Sequence, residues 1–508
     1  MTRSRHTSSR RAFLQRAATA GACVGAADLG FLSALAPVDA AEARLVPGKV
    51  RLDAGIEPLV RLLEDTPRER LLEEVALRLR RGLSYRELLA ALLLAGVRNI
   101  QPRPVGFKFH AVLVVNSAHL ASLSSPDADR WLPIFWALDY FKDAQAQDAA
   151  AEDWTMGPPQ ESLLPPSHRA RRALIEAMDN WDVSAADAAV ASLARHAPPQ
   201  ELFELFCRYG ARDYRDIGHK AIYVANSWRT LECIGWQHAE PVLRSLAYAL
   251  LAHEGDNPAR RDASADHPWR NNLTLAPDIR AGWLDGRSGG GANLELFEVL
   301  RHADAGDASR QVVTLLNGGV GPEPLWDACF AAAIELLMRR PNILSLHAVT
   351  TTNALHYAFR HAATDETRRL LLLQNAAFLP LFRGDLSNTT GPRLDDLTKG
   401  DDSVADRVSL DRVFAEMGRD RMGAARMAYA YLRNDGPPGD FIDAARRLVF
   451  LKGTNSHDYK FSSAVLEDYY AMAPAWRDRY LAASVFNLRG SGEPDQRLVQ
   501  RIRAALAS

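Results

Sequence analysis

The stretches FKFHAVLVVNSAHL (107–120) and SLHAVTTTNALHY (345–357) carry one pattern, His-Ala-Val-x-x-x-Asn-x-x-His, which sets His110, Asn116 and His119 against His347, Asn353 and His356. A third stretch, IGHKAIYVANSW (217–228), has His219 and Asn226 with one extra residue between them. A fourth, SHDYKFSSAVLEDYY (456–470), keeps only His457. The four histidines His110, His219, His347 and His457 are 109, 128 and 110 residues apart. Each follows loop-like sequence and opens an apolar run. AVLVV (111–115) is β-prone when read alone. AIYVA and AVTTT occupy the same slot in the other stretches, so all three read as buried helix. The expectation is an all-α fold, a helical repeat domain of four pseudo-repeated multi-helix units.

The rest of the chain agrees. Segments such as ERLLEEVALRLRRG (69–82) and ELLAALLLAGV (87–97) repeat apolar residues at three and four positions, and no convincing alternating strand occurs. The units are expected at about 55–150, 165–255, 293–385 and 408–490. Their predicted helices lie near 67–81, 85–96, 107–123 and 128–143, then 184–195, 200–209, 217–234 and 238–253. The next are near 294–303, 308–316, 323–340, 345–361 and 365–377, and the last near 408–434, 438–451, 457–471 and 474–487. Polar loops are expected at 256–293, which accounts for the longer second spacing, and at 383–403; long loops of this kind often act as lids. Successive units should pack side by side into one domain, 41–508.

Residues 1–40 read as an address. Ser9-Arg10-Arg11-Ala12-Phe13-Leu14-Gln15 matches the twin-arginine export pattern, Ala17–Ala36 is weakly apolar and broken by Asp28, and Val38-Asp39-Ala40 offers a small-residue cleavage site. Cys23 lacks the leucine that lipidation would require upstream. The expected location is therefore the periplasm or the exterior, reached through the twin-arginine export machinery. That route carries folded proteins, and it suits a metal that must be loaded before export. The whole chain has net charge −1; the leader carries five Arg and two Asp, a net +3, so the remainder stands near −4. No basic stripe points to nucleic acid, and no later segment reads as transmembrane. Cys207, Cys233 and Cys329 have no C-x-x-C spacing and read as small buried hydrophobes.

A lone histidine at a helix start is usually structural, but four in register are candidates to converge on one metal ion. The positive end of the helix dipole also keeps such imidazoles neutral, as a metal requires. Residues nine apart on a helix are separated by about 900°, half a turn net. His119 and His356 therefore point away from His110 and His347, and with the asparagines they are expected to bond neighbouring helices. His457-Asp-Tyr-Lys460 places Lys460 on the face of His457. As an ammonium it would repel a cation, and the plainer reading is a solvated lysine; carboxylated on its amine, it becomes an anionic oxygen ligand.

This pattern resembles the questin oxidase-like family. The resemblance implies a non-haem Fe(II) centre held by His110, His219, His347 and His457 with Lys460 as a carboxylated lysine. It also implies oxygen-dependent chemistry on a small aromatic or quinone-type substrate, with dioxygen as co-substrate. Such a donor set suits a divalent first-row metal, iron or another, with an open position. Phe107, Phe109, Tyr223, Trp228 and Trp236 are candidates to line a substrate pocket, though core packing is the commoner role. Asp213 and Asp216 either orient a ligand or cap the helix that follows, and Tyr459 is a candidate acid. Rival readings are a non-catalytic periplasmic helical-repeat scaffold or binding protein and a copper or zinc carrier. No His-Glu-x-x-His, Gly-x-Ser-x-Gly, phosphate loop, flavin or nucleotide motif occurs, and Gly289-Gly290-Gly291 reads as a flexible loop.

Overall fold

The structure is a computed structural model that describes residues 49–50, 52–288, 291–384, 391–399 and 408–507. The leader expected at 1–40 lies outside the described residues, as do Gly289, Gly290 and part of the polar loop 383–403. Among the described residues the chain is all-helical, with one isolated bridge between Arg287 and Val320 and no strand. No helix among them is long and apolar enough to cross a membrane.

The site is built on six helices: α1 (His110–Leu113), α2 (Val115–Ser124), α3 (Leu132–Ala151), α4 (His219–Ile234), α5 (Ile343–His361) and α6 (Ser456–Ala471). α2 packs on α4, α4 on α5, α5 on α6, and α6 back on α2, which closes a ring. Helices in such a ring are covered on nearly every side, and their sequences show it: His219–Trp228 and Ser345–Leu355 are buried without interruption. A helix apolar all round has no solvent face to present.

This burial also explains why β-prone runs are helical. Val349-Thr350-Thr351-Thr352 would favour a strand in isolation. In α5 the Thr350 hydroxyl donates back to the Leu346 carbonyl, 3.4 Å away, and the Thr352 hydroxyl donates to Asn375, 3.2 Å away. Packing overrides propensity here, as it generally does for buried helices. The run AVLVV is helical too, but its helix is broken. The expected helix at 107–123 is a 3-10 turn at Phe107–Phe109, the four-residue α1 and then α2, with Val114 as the joint.

Other expectations need correcting. The helix near 408–434 is two helices, Leu410–Glu416 and Arg421–Arg433, the second capped by the Asp420 side chain. The segment 256–293 is not plain loop, since it carries the helix His267–Leu275. The helices Glu57–Asp65, Ser167–Asp179 and Arg497–Ala507 lie outside the predicted set. The first is fastened by Arg98, a fully buried guanidinium that bridges Glu57 at 2.8 Å and Glu64 at 2.6 Å. Cys207, Cys233 and Cys329 are unpaired; Cys207 and Cys329 are buried and Cys233 is half-buried.

Candidate metal centre

Two kinds of helix start bring the histidines to one end of the ring. α5 and α6 begin conventionally: Asn342 accepts from the Ser345 amide, and Asn455 accepts from the His457 amide at 2.9 Å. His347 then lies one turn inside α5, at its fifth residue, and not at its opening as expected. α1 and α4 begin after left-handed backbone. Gly106 (φ 145°) and Phe107 (φ 47°) lead into His110. Asp216 (φ 55°), Ile217 (φ 45°) and Gly218 (φ 82°) lead into His219. Such a run costs roughly 1–3 kcal/mol per non-glycine residue and persists only where its surroundings enforce it. Gly218 is enforced by space as well as by φ, because a Cβ there would lie 2.0 Å from Thr351 Oγ1 on α5.

These lead-ins hold the rings. His110 Nδ1 donates to the Phe107 carbonyl at 2.8 Å, and His219 Nδ1 to the Asp216 carbonyl at 2.6 Å. His347 Nδ1 donates to the Ile343 carbonyl at 2.7 Å. A carbonyl oxygen only accepts, so each of these rings carries its proton on Nδ1 and presents a bare Nε2 lone pair. The three lone pairs converge: His219 Nε2 is 2.9 Å from His110 Nε2 and 2.9 Å from His347 Nε2. The His457 ring centroid lies 4.7 Å from that of His110 and 5.4 Å from that of His347, and its buried Nε2 has no hydrogen-bond partner. His110, His347 and His457 each present a ligand nitrogen within 4.8 Å of the others.

Lys460 completes the cluster. Its Nζ is buried, 3.5 Å from His219 Nε2, and no carboxylate pairs with it among the described residues. The expectation of a solvated lysine is therefore corrected, because the i, i+3 spacing turns Lys460 inward with His457. Burial lowers its pKa to about 7. Burial, reinforced by Lys460, lowers His110, His219 and His347 well below the usual histidine range and His457 to about 3. All four imidazoles are neutral at ordinary pH.

The donor set passes a test of fit to a cation. Two lone pairs 2.9 Å apart repel unless something positive lies between them, and an imidazolium proton is disfavoured by burial. Two nitrogens held at right angles by one ion, each about 2.1 Å from it, stand about 3.0 Å apart. Each ring nitrogen that faces away is tied to a carbonyl in three of the four rings, the usual support of metal-ligating histidines.

The other candidates fall outside this centre. His119 Nδ1 is hydrogen-bonded to the Tyr85 hydroxyl at 3.0 Å, as the half-turn argument implies. His356 packs against Trp326, Phe330 and Phe359, and burial lowers its pKa to about 3. Asn226 donates to the Leu113 carbonyl at 2.9 Å, and Asn353 donates to Asp468 at 2.7 Å, so both tie helices together. Among the described residues Asp213 bonds no histidine; it accepts from Lys220 at 3.0 and 3.1 Å. Asp216 acts on His219 through its backbone carbonyl, a contact no side-chain reading foresees. Tyr459 is a core residue, stacked on Trp136 at 3.8 Å. Phe109, Tyr223 and Trp228 are buried in the core and Trp236 packs half-buried against Trp228, whereas Phe107 is 77 % exposed beside the centre.

No protein-family model, no curated protein and no solved structure matches the chain.

Proposed function

We propose that the protein is an exported metal-dependent oxidoreductase, a non-haem iron oxygenase that acts on a small aromatic or quinone-type substrate with dioxygen. The observation that supports this reading is the convergence of four neutral imidazoles whose Nδ1 atoms are, in three cases, committed to carbonyls. His110, His219, His347 and His457 would hold the metal, and Lys460 would add an oxygen donor as a carbamate. Carbamate formation joins the neutral Lys460 amine to carbon dioxide: an N–C bond forms, one N–H proton is released, and the product is a carboxylate in place of an ammonium. A buried lysine without a carboxylate partner is suited to this, because the alternative is an uncompensated charge. Bound there, Fe(II) supplies Lewis-acid and one-electron chemistry toward dioxygen and substrate.

The chain's own contribution is positional. The Phe107, Asp216 and Ile343 carbonyls fix the tautomers and aim the rings, and the closed ring of helices keeps bulk water from His347, which is fully buried. Elemental mass spectrometry of the folded protein tests the reading. About one iron per chain, with substrate-dependent oxygen uptake, supports it; one copper or zinc without oxygen uptake favours a carrier. No metal, after preparation that protects Fe(II), overturns it in favour of a scaffold.

A further inference from the structure

Phe107 combines two unfavourable features beside the metal centre. Its side chain is the most exposed large hydrophobic one among the described residues, at 77 %, and its backbone is left-handed, with φ 47°. A bulky residue in that conformation is a genuine outlier, and such strain persists only where the surroundings over-determine it. Two other large apolar residues among those described share the conformation, Trp181 (φ 57°) and Ile217 (φ 45°). Trp181 is buried and Ile217 is half-buried against the core, so packing holds both. The Phe107 side chain lies outside the core, and among the described residues it pairs with no ring and no cation.

The rest of the turn fixes this backbone. Phe109 is fully buried, with its ring 4.9 Å from that of Tyr223, and its amide donates to the Gly106 carbonyl at 2.8 Å. Lys108 pairs with the buried Asp148 at 2.7 Å. Two of the three side chains in Phe107-Lys108-Phe109 thus anchor the turn, and the third is left in water. The turn also lies directly over the histidines. The Phe107 carbonyl holds His110 Nδ1. A Cβ on Gly106 would lie 3.4 Å from His219 Cε1 and 3.6 Å from His219 Nε2, the nitrogen 2.9 Å from both His110 and His347. The Gly106-Phe107 peptide is therefore a cover on the cluster. Ile343 repeats the relationship: its carbonyl holds His347 Nδ1 and its side chain is 44 % exposed.

We propose that Phe107 is the platform on which the substrate of the centre docks, and that the substrate presents a flat aromatic face to it. This rests on the reading of the cluster as a metal centre with a small aromatic substrate, and it adds the residue that selects the ring. Docking removes from water the large apolar surface that the turn leaves exposed, and an offset or edge-to-face ring pair adds to that burial. The strain at Phe107 is then kept for binding rather than for folding, as strained backbone at ligand clamps generally is.

Equilibrium dialysis of the full chain against 2-naphthol, and separately against its saturated analogue 2-decalol, tests this, with metal analysis of the same samples. One naphthol per chain is expected, with decalol bound severalfold more weakly. Phe107→Asn should weaken naphthol binding by about tenfold, the worth of a ring pair with its burial. Phe107→Tyr, which keeps the ring, should bind as the parent chain does. Metal content should be the same in all three proteins, because the carbonyl and not the side chain holds His110. Asparagine tolerates the left-handed region, so Phe107→Asn should unfold at a temperature at least as high as the parent chain. A lower midpoint would assign Phe107 to the fold and overturn the proposal. Absence of naphthol binding overturns it too, as does equal binding by Phe107→Asn or equal binding of decalol. A chain that lacks metal but binds naphthol through Phe107 overturns the metal reading and leaves the docking residue supported.

Discussion

The Nε2 atoms of His110 and His219 stand 2.9 Å apart, yet neither donates to the other, because both rings give their Nδ1 proton to a backbone carbonyl. His347 repeats the relationship on the other side of His219. Two bare acceptors at this distance are stable only with positive charge between them. His219→Ala and His347→Ala should therefore each lower bound metal by about tenfold or more, since even the loss of a supporting contact costs 10–100-fold. Helicity by circular dichroism should be retained. His119→Ala, which removes only the partner of Tyr85, should leave metal content unchanged. Full metal retention in both ligand variants would remove the centre as drawn.

Two buried lysines provide a contrast. Lys220 is paired with the buried Asp213 and donates to the Ala252 carbonyl at 2.8 Å. Lys220→Met strands that carboxylate and should cost about 3–5 kcal/mol in denaturant unfolding. Lys460 has no such partner among the described residues, so Lys460→Met should leave the metal-free protein as stable or more stable while reducing its metal affinity. Equal destabilisation by both substitutions would contradict the assignment.

Gly218 joins the strained lead-in to α5. Gly218→Ala places a methyl group 2.0 Å from Thr351 Oγ1 at a φ of 82°. The substitution should destabilise the fold by at least about 1–3 kcal/mol and lower metal occupancy, because the Asp216 carbonyl that orients His219 would move. The double variant with Thr351→Ala should recover part of the loss. Thermal unfolding together with metal analysis reads both effects.

His356 sets a pH dependence that is independent of the metal. Burial lowers its pKa from 6.5 to about 3. Between these values the unfolded chain takes up a proton that the folded chain refuses, so the contribution is complete above pH 6.5 and is lost as pH falls toward 3. The slope is at most about 1.4 kcal/mol per pH unit. Replacing His356 by Gln should flatten the difference in unfolding free energy across that window by close to one proton; an unchanged slope would show that His356 titrates normally.

The class of the fold and the identity of the histidines that cluster were legible in the chain because both are local or repeated properties. Helical periodicity is set within a few residues, and the half-turn rotation across nine residues sufficed to separate His119 and His356 from His110 and His347. Lys460 was legible as a neighbour of His457 but not as buried, since burial depends on α5 and α2 packing over it. Tertiary structure alone decided that four segments more than a hundred residues apart close into a ring with their histidine-bearing ends together. It also decided that backbone carbonyls, which have no sequence signature, hold the rings and that Asp213 pairs with Lys220. Sequence pattern reports which face of a helix a residue occupies; what meets that face depends on contacts across the whole chain.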